Sequence, residues 1–532
     1  MQTKEIPYCV SAIFHSSFFT FHFSLLTKRM NYAPLFLALA LLLPFQAIKA
    51  QKPFEHIEGT VEMQSSFSDG TTPLWLNANR YGMSSLCSTN GFVRVKAERP
   101  LHCDSSRIWG VGYAADVAAA NHFSSDVLLQ QLYLKIRYRK ASLTIGQREE
   151  PLNLKPQSLT TGSQALGINA RPLPGIRLAF DDYVPFLHGW MGFKGHFFYG
   201  MQTDGHFQER MESNRYLKDV LVHHKSGFLR FGKPDRPLTI EVGLEMATQF
   251  GGSTYYADGT VVRHDKSPKA FFKAIYGGKN DKESGNYRSA EGNMLGSWLM
   301  RINYDRPSYA LSAYADHYFE DDSQLFMMDF DGYGKGDEWD KRKRHRVLLY
   351  PLRDILIGME MHLKRFQPLH HIVVEYICSR YQSGPIYHDH SMYIPDHIGG
   401  ADNYLNHGTY GSWSHWGQIN GNPLYRAPLY DGHALITTSN RFKAIHIAFA
   451  GSPLPLLSYR FFATWQKSWG TYSNPFLDVQ RNVSLMAEAE YTLPKSLRDI
   501  TLRATVGTDR GMLLGDNTGA QFSIIWKGLL CR

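Results

Sequence analysis

The chain has 532 residues, 20% of them charged and 14% aromatic, with a formal net charge of +9. That much apolar and ring surface excludes global disorder. The one strongly basic run, KRKRHR at 341–346, is too short for a dedicated nucleic-acid interface and reads as a solvated loop.

The N-terminus reads as an export signal. Lys28 and Arg29 precede Met30, PLFLALALLLPF (34–45) supplies an apolar run, and AIKA (47–50) ends on a small residue. That order places cleavage after Ala50, and the run is short of the ~20 residues of a spanning helix. Either Met1 or Met30 can serve as the start. Residues 51–532 then keep Cys87, Cys103, Cys378 and Cys531, too few for a disulfide scaffold. A Cys87–Cys103 pair across a hairpin stays open.

Further along, apolar residues recur with period two. Leu128, Gln130, Leu132, Leu134, Ile136 and Tyr138 alternate with Leu129, Gln131, Tyr133, Lys135, Arg137 and Arg139. Similar alternation runs through 238–246, 355–364, 457–465, 483–491 and 500–506. These are half-apolar strands, and counting such segments gives about sixteen to twenty of them. A soluble multi-sheet protein and a closed transmembrane antiparallel β-barrel both fit. The barrel accounts for the export signal, for strands near the ~9–11 residues that cross a bilayer, and for ionisable groups on the second face. Tyr133, Tyr138, Trp190, Trp298, Tyr459, Trp465, Trp469 and Trp526 suit interfacial girdles. Long polar loops at 247–297, 319–353 and 382–432 contrast with tight turns at 304–309 and 492–499, the uneven rims of an outer-membrane barrel. The proline-rich segment 148–176 is a plug element inside the lumen, a piece at the periplasmic rim, or a plain connection.

Chemistry-bearing clusters are weak. His388–Asp389–His390, with Asp396 and His397 nearby, invites a metal but shows no third ligand at a firm spacing. Asp329, Asp331, Asp337 and Glu338 lie in an acidic, glycine-rich stretch whose spacing fails the EF-hand pattern. Glu488 and Glu490 share a strand face, as glycosidase carboxylates can, and so do many lumen pairs. No nucleophile elbow or phosphate loop occurs. No catalytic residue, metal site or cofactor is assigned.

The distinctive stretch is NYLNHGTYGSWSHWGQINGNPLY, residues 403–425. Neutral sugars are held by rings against their C–H faces and by amides and imidazoles on their hydroxyls. Asn403, Tyr404, Asn406, His407, Tyr410, Trp413, Trp416, Asn420 and Asn422 supply that set and are the candidate polysaccharide-binding residues. The alternative is a self-packed loop with turn glycines.

This stretch resembles a segment of the Wzi-like capsule assembly proteins, with its Asn-His pair, aromatic-Gly-Trp run and GNPL. SLTTGSQALGINARPLPGI (158–176), GLEMATQFGG (243–252), ALSAYADHYFEDDS (310–323) and TWQKSWGTY (464–472) resemble other pieces of that family in the same order. Asn406, His407, Gly411, Trp413, Gly421, Asn422, Pro423 and Leu424 fall on its motif, and the chain reads as a Bacteroidetes-type member. The resemblance implies an outer-membrane barrel of about eighteen strands with a small helical element. It also implies a monomeric, non-catalytic surface lectin that attaches capsular or extracellular polysaccharide, surrounded by outer-membrane lipid and near the capsule export machinery. The tail WKGLLCR (526–532) departs from the usual aromatic ending. A porin-like channel and an outer-membrane glycan- or lipid-modifying enzyme are the rivals.

Overall fold

The computed structural model describes residues 55–211, 213–276, 292–320, 328–330, 334–341, 343–347, 350–382, 402–432, 435–494, 497 and 499–531. The signal segment, the His388–Asp389–His390 cluster with Asp396 and His397, and Asp331 lie outside the described residues.

Eighteen strands form the wall. The first nine are β1 (Ile57–Ser68), β2 (Thr89–Arg99), β3 (Trp109–Asn121), β4 (Val127–Tyr138), β5 (Ala141–Gln147), β6 (Pro174–Phe186), β7 (Met191–Met201), β8 (Leu221–Phe231) and β9 (Leu238–Phe250). The rest are β10 (Asn293–Asp305), β11 (Tyr309–Glu320), β12 (Ile355–Leu363), β13 (His371–Cys378), β14 (Phe442–Leu454), β15 (Leu457–Gly470), β16 (Pro475–Thr492), β17 (Ile500–Gly511) and β18 (Asn517–Cys531). Each pairs antiparallel with its neighbours in sequence, and β1 closes on β18 with Val61 opposite Trp526. Closure leaves no edge strand, which hydrocarbon would not tolerate.

Alternation sorts the two faces. On β12, Ile357 and Met359 point outward, the latter 66% exposed, while Leu356 and Gly358 point inward. The same outward face carries Val95, Leu134, Leu178, Phe197, Ile445, Val506 and Ile524 around the barrel, the apolar belt of a lipid-facing wall. The inward face holds Asp116, Gln130, Glu245, Asp316, Glu375, His446 and Glu488, all buried. One strand breaks the simple period. The register between β3 and β4 shifts after Asp116, leaving Gln130 as an extra residue. Gln130 and Gln131 are therefore both buried, Leu129 and Leu132 both face outward, and Tyr133 and Lys135 turn into the lumen. Such a bulge moves every later side chain to the other face. Tyr133 accordingly leaves the expected aromatic girdle, and its hydroxyl donates to Glu98 at 2.8 Å. Cys103 carries a free thiol, so the Cys87–Cys103 bridge is not formed.

The rims differ. One carries short connections at 139–140, 187–190, 232–237, 306–308 and 455–456, together with both ends of the wall, Ile57 and Cys531. The other carries the long connections 69–88, 148–173, 202–220, 251–292, 321–354 and 379–441. The segment 148–173 and, within 379–441, residues 402–432 enter the lumen, as does the short helix α1 (Leu74–Asn77). Its Leu74 N–H donates to Asp509 at 2.9 Å and its Trp75 indole N–H to Thr464 at 3.0 Å, on β17 and β15.

Carboxylates on the wall hold 148–173 in place. Glu375 accepts the Thr161 N–H (2.8 Å) and hydroxyl (2.7 Å), the Thr160 hydroxyl, and the Tyr314 hydroxyl at 2.7 Å. Asp316 accepts the Gln164 N–H at 2.9 Å and ion-pairs with Lys155, both groups fully enclosed. On the adjacent strand, opposite Glu375, His446 Nε2 donates to Leu159 O at 2.9 Å. A segment that leaves β5, returns to β6 and is bonded in between to β11, β13 and β14 lies across the bore. Removing one partner of a buried ion pair strands the other charge, at a cost of about 3–5 kcal/mol. Lys155→Met is expected to lower the thermal midpoint of the detergent-solubilised barrel, and adding Asp316→Asn to recover most of the loss, followed by circular dichroism. An unchanged midpoint in Lys155→Met would show that the pair does not hold the segment.

Candidate functional site

The aromatic-amide segment lies in the second lumen insertion. Two small hairpins build it, Asn406–His407 against Gly411–Ser412 and Ser414–His415 against Gln418–Ile419. Its backbone then touches the first insertion. The Gly167 N–H donates to Asn420 O at 2.6 Å, and a Cβ on Gly421 would sit 2.0 Å from Gln164 O. Glycine is needed there because the two backbones approach within side-chain distance.

Four of the nine candidate residues are core. Trp413 is 0% exposed and donates its indole N–H to Ala165 O at 2.8 Å. Tyr404 is buried edge-on against Tyr318 at 4.8 Å. Asn422 donates to the Thr161 hydroxyl at 3.1 Å and accepts the Leu424 N–H at 3.0 Å. Tyr410 is buried beside Leu217 and Val220. Trp413 and Asn422 close the two insertions on each other, with the Tyr425 hydroxyl donating to Gln164 at 3.1 Å.

The remaining five are half-buried. Asn403 and Asn406 bond each other at 3.1 Å, and Asn406 also exchanges bonds with the Thr437 backbone at 2.7 and 2.8 Å. His407 Nδ1 accepts the Thr409 N–H at 3.1 Å. Asn420 lines a chamber beside the insertions. Trp416 stands apart, at the tip of the second hairpin.

At that tip Trp416 has φ +55° and Gly417 φ +77°. Positive φ at both central residues is the type I′ pattern, which favours Asn-Gly; a bulky residue at the first position is strained by about 1–3 kcal/mol. Neighbours hold the strained residue. Its N–H donates to Asp204 at 3.0 Å, its ring packs 5.9 Å from Phe207, and the Arg171 guanidinium lies 4.2 Å over the indole. Arg171 Nη2 donates to the Ser124 hydroxyl at 2.6 Å, and Arg210 Nη2 to Ser124 O at 2.7 Å. Burial pushes the Arg171 guanidinium down to about 9, opposed by the Asp204 charge. His415, enclosed beside it, is lowered by burial; its Nδ1 meets Arg171 O at 2.9 Å and its Nε2 accepts the Thr203 N–H at 3.1 Å, the pattern of a neutral ring. A narrow cleft opens over this stack on the long-loop rim, lined by Ser84, Leu86, His122, Phe123, Arg171 and Trp416.

Polar chambers remain elsewhere in the lumen. One is lined by Glu62, Arg80, Arg94, Glu149, Arg460 and Arg503. Most of its charges are paired, Arg94 with Asp116 and Glu149, and Arg80 lies 3.8 Å from Glu488. Arg460 grips Glu488 at 2.5 and 3.2 Å, and Arg503 grips Glu490 at 2.5 Å. Glu488 and Glu490 therefore each hold an arginine rather than facing each other across a cleft. Asp337 and Glu338 are exposed, Glu338 pairing with Lys341 at 3.0 Å. Among the described residues, no three His, Cys, Asp or Glu converge as metal ligands would. Sequence reasoning missed Arg171, Ser124, Asp204 and Arg210. Arg171 ends the INAR run (168–171) of the family resemblance, and that was its one trace.

No family model and no curated protein matches the sequence. Among solved structures the chain is similar to Wzi of Escherichia coli, described as an outer membrane protein involved in group 1 capsule assembly and a carbohydrate-binding β-barrel. The TM-score is 0.53 at 11% identity, over 90% of this chain and 86% of that one. OprD of Pseudomonas aeruginosa matches with TM-score 0.43 and 9% identity, over 90% of this chain and 96% of that one. A BenF-like porin of Pseudomonas fluorescens gives 0.44 and 8%, over 90% and 99%. At these identities the likeness is one of fold: the chain is an 18-stranded barrel of the outer-membrane type.

Proposed function

We propose that this protein sits in the outer membrane of a Gram-negative cell and binds surface polysaccharide without converting it, helping to assemble or retain a capsule or exopolysaccharide layer. The observation that carries the reading is a bore occupied by the chain's own two insertions, below a rim with an aromatic cleft. A diffusion channel needs an open bore. A glycan-modifying enzyme needs a free acid–base or nucleophile set, whereas Glu488 and Glu490 are held by arginines. The Wzi neighbour, a carbohydrate-binding barrel of capsule assembly, supports the same reading. In this orientation the short turns face the periplasm and the long loops face outward, with lipid against the apolar belt and a single chain as the working unit near the export machinery.

Within the candidate set, the roles divide by burial. Trp416, Asn403, Asn406, His407 and Asn420 retain surface and are the proposed sugar contacts, Trp416 foremost. Tyr404, Tyr410, Trp413 and Asn422 act as the frame beneath them.

Two substitutions separate these roles. Trp416→Ala is expected to leave the thermal midpoint near that of the parent and to release polysaccharide from cells into the medium, measured as the ratio of cell-bound to free polymer. Polymer retention equal to the parent would remove Trp416 from the contact surface. Trp413→Ala removes a fully buried ring and is expected to destabilise the insertions by about 3–5 kcal/mol, read as a lower midpoint; no loss would mean that the ring is not part of the frame.

A further inference from the structure

The Arg171–Trp416 stack differs from an ordinary surface cation–π pair. Arg171 is 6% exposed, and no carboxylate lies within ion-pair distance of it among the described residues. Its Nε has no hydrogen-bond partner. The nearest carboxylate, Asp204, spends one oxygen on the Trp416 N–H and the other on Gln208 at 3.1 Å. Isolated buried guanidinium is costly and is normally paired. The second cation, Arg210, is bonded to the same Ser124 turn, so positive charge is concentrated at one edge of the cleft. The indole is held there in a backbone conformation that costs energy, and strain of this kind persists where surrounding structure enforces it and clusters at ligand sites.

These observations rest on different parts of the fold: Arg171 on the end of the first insertion, Trp416 on a hairpin of the second, Ser124 on the β3–β4 turn, Arg210 just after the helix α2 (Gly205–Glu209). Together they frame a half-buried indole beside an uncompensated cation. A guanidinium receives a carboxylate through charge-assisted hydrogen bonds, and the part of the indole left uncovered by Arg171 meets the C–H face of the sugar that carries it.

We infer that the cleft over Arg171 and Trp416 is a subsite for an acidic sugar unit, a uronic acid whose carboxylate is received by Arg171, with Arg210 reinforcing the field. The inference rests on the polysaccharide reading and sharpens it. It makes the recognised polymer anionic and places its charged residue on the long-loop rim. A neutral polymer leaves the charge of Arg171 unanswered.

The test uses the full chain in detergent and calorimetric titration with trigalacturonate, maltotriose and inorganic phosphate. Trigalacturonate is expected to bind at least tenfold more tightly than maltotriose, and the margin to shrink as salt rises. Arg171→Gln is expected to abolish the margin, and Arg171→Lys to keep part of it, both with thermal midpoints checked. Equal affinity for the two trimers would overturn the acidic subsite while leaving polysaccharide binding standing. Uronate binding that survives Arg171→Gln in a folded variant would also overturn it. Phosphate that displaces the uronate at equal concentration would reassign the cleft to a phosphorylated ligand such as a lipid headgroup, against the proposal. If neither trimer binds while cells still need the protein to retain polymer, the subsite fails and the wider reading survives.

Discussion

Everything in this molecule depends on how the inward face of an 18-stranded wall is satisfied. Closing the sheet solves the edge problem in lipid, but it also turns a ring of carboxylates, amides and imidazoles toward the interior. Enclosed polar groups need partners. Glu375 and Asp316 find theirs in the backbone and hydroxyls of Thr160–Gln164, and the Leu405 N–H goes to Glu320. The wall and the insertions are therefore one hydrogen-bonded object. Neither half is satisfied without the other.

That dependence sets the geometry of the outer rim. Because 148–173 is fixed against β11, β13 and β14, it offers a firm floor on which the second insertion can be laid, backbone against backbone at Gly167 and Gly421. The floor brings Arg171 under the hairpin that carries Trp416. A ring held at φ +55° would relax on a free loop; here Asp204, Phe207 and Arg171 restrain it from three sides. Rigid support beneath and a single aromatic at the surface is an arrangement suited to binding, because little order remains to be imposed when a ligand arrives.

The wall was readable from the sequence because period two survives without an alignment, and the eighteen strands match what the family resemblance implies. Its one misreading was local. The alternation through 128–139 looks unbroken, yet the extra residue Gln130 exchanges the faces beyond it, and nothing in the side-chain chemistry marks a bulge there. The candidate segment was half readable. Its rings and amides stand out against the rest of the chain, but whether such groups serve a ligand or the interior depends on partners far away in sequence. The indole of Trp413 meets Ala165, and Asn422 meets Thr161, each contact spanning more than two hundred residues. Arg171 was hidden for the same reason. In the sequence it is one arginine before a proline; its isolation from carboxylates exists only in the folded barrel.

The most direct test of a bore closed by its own chain is electrical. Purified protein inserted into planar bilayers should pass little steady current, and a variant lacking residues 156–166, if it still assembles as a barrel, should show discrete conductance steps. Large open-channel steps from the intact protein would contradict the account.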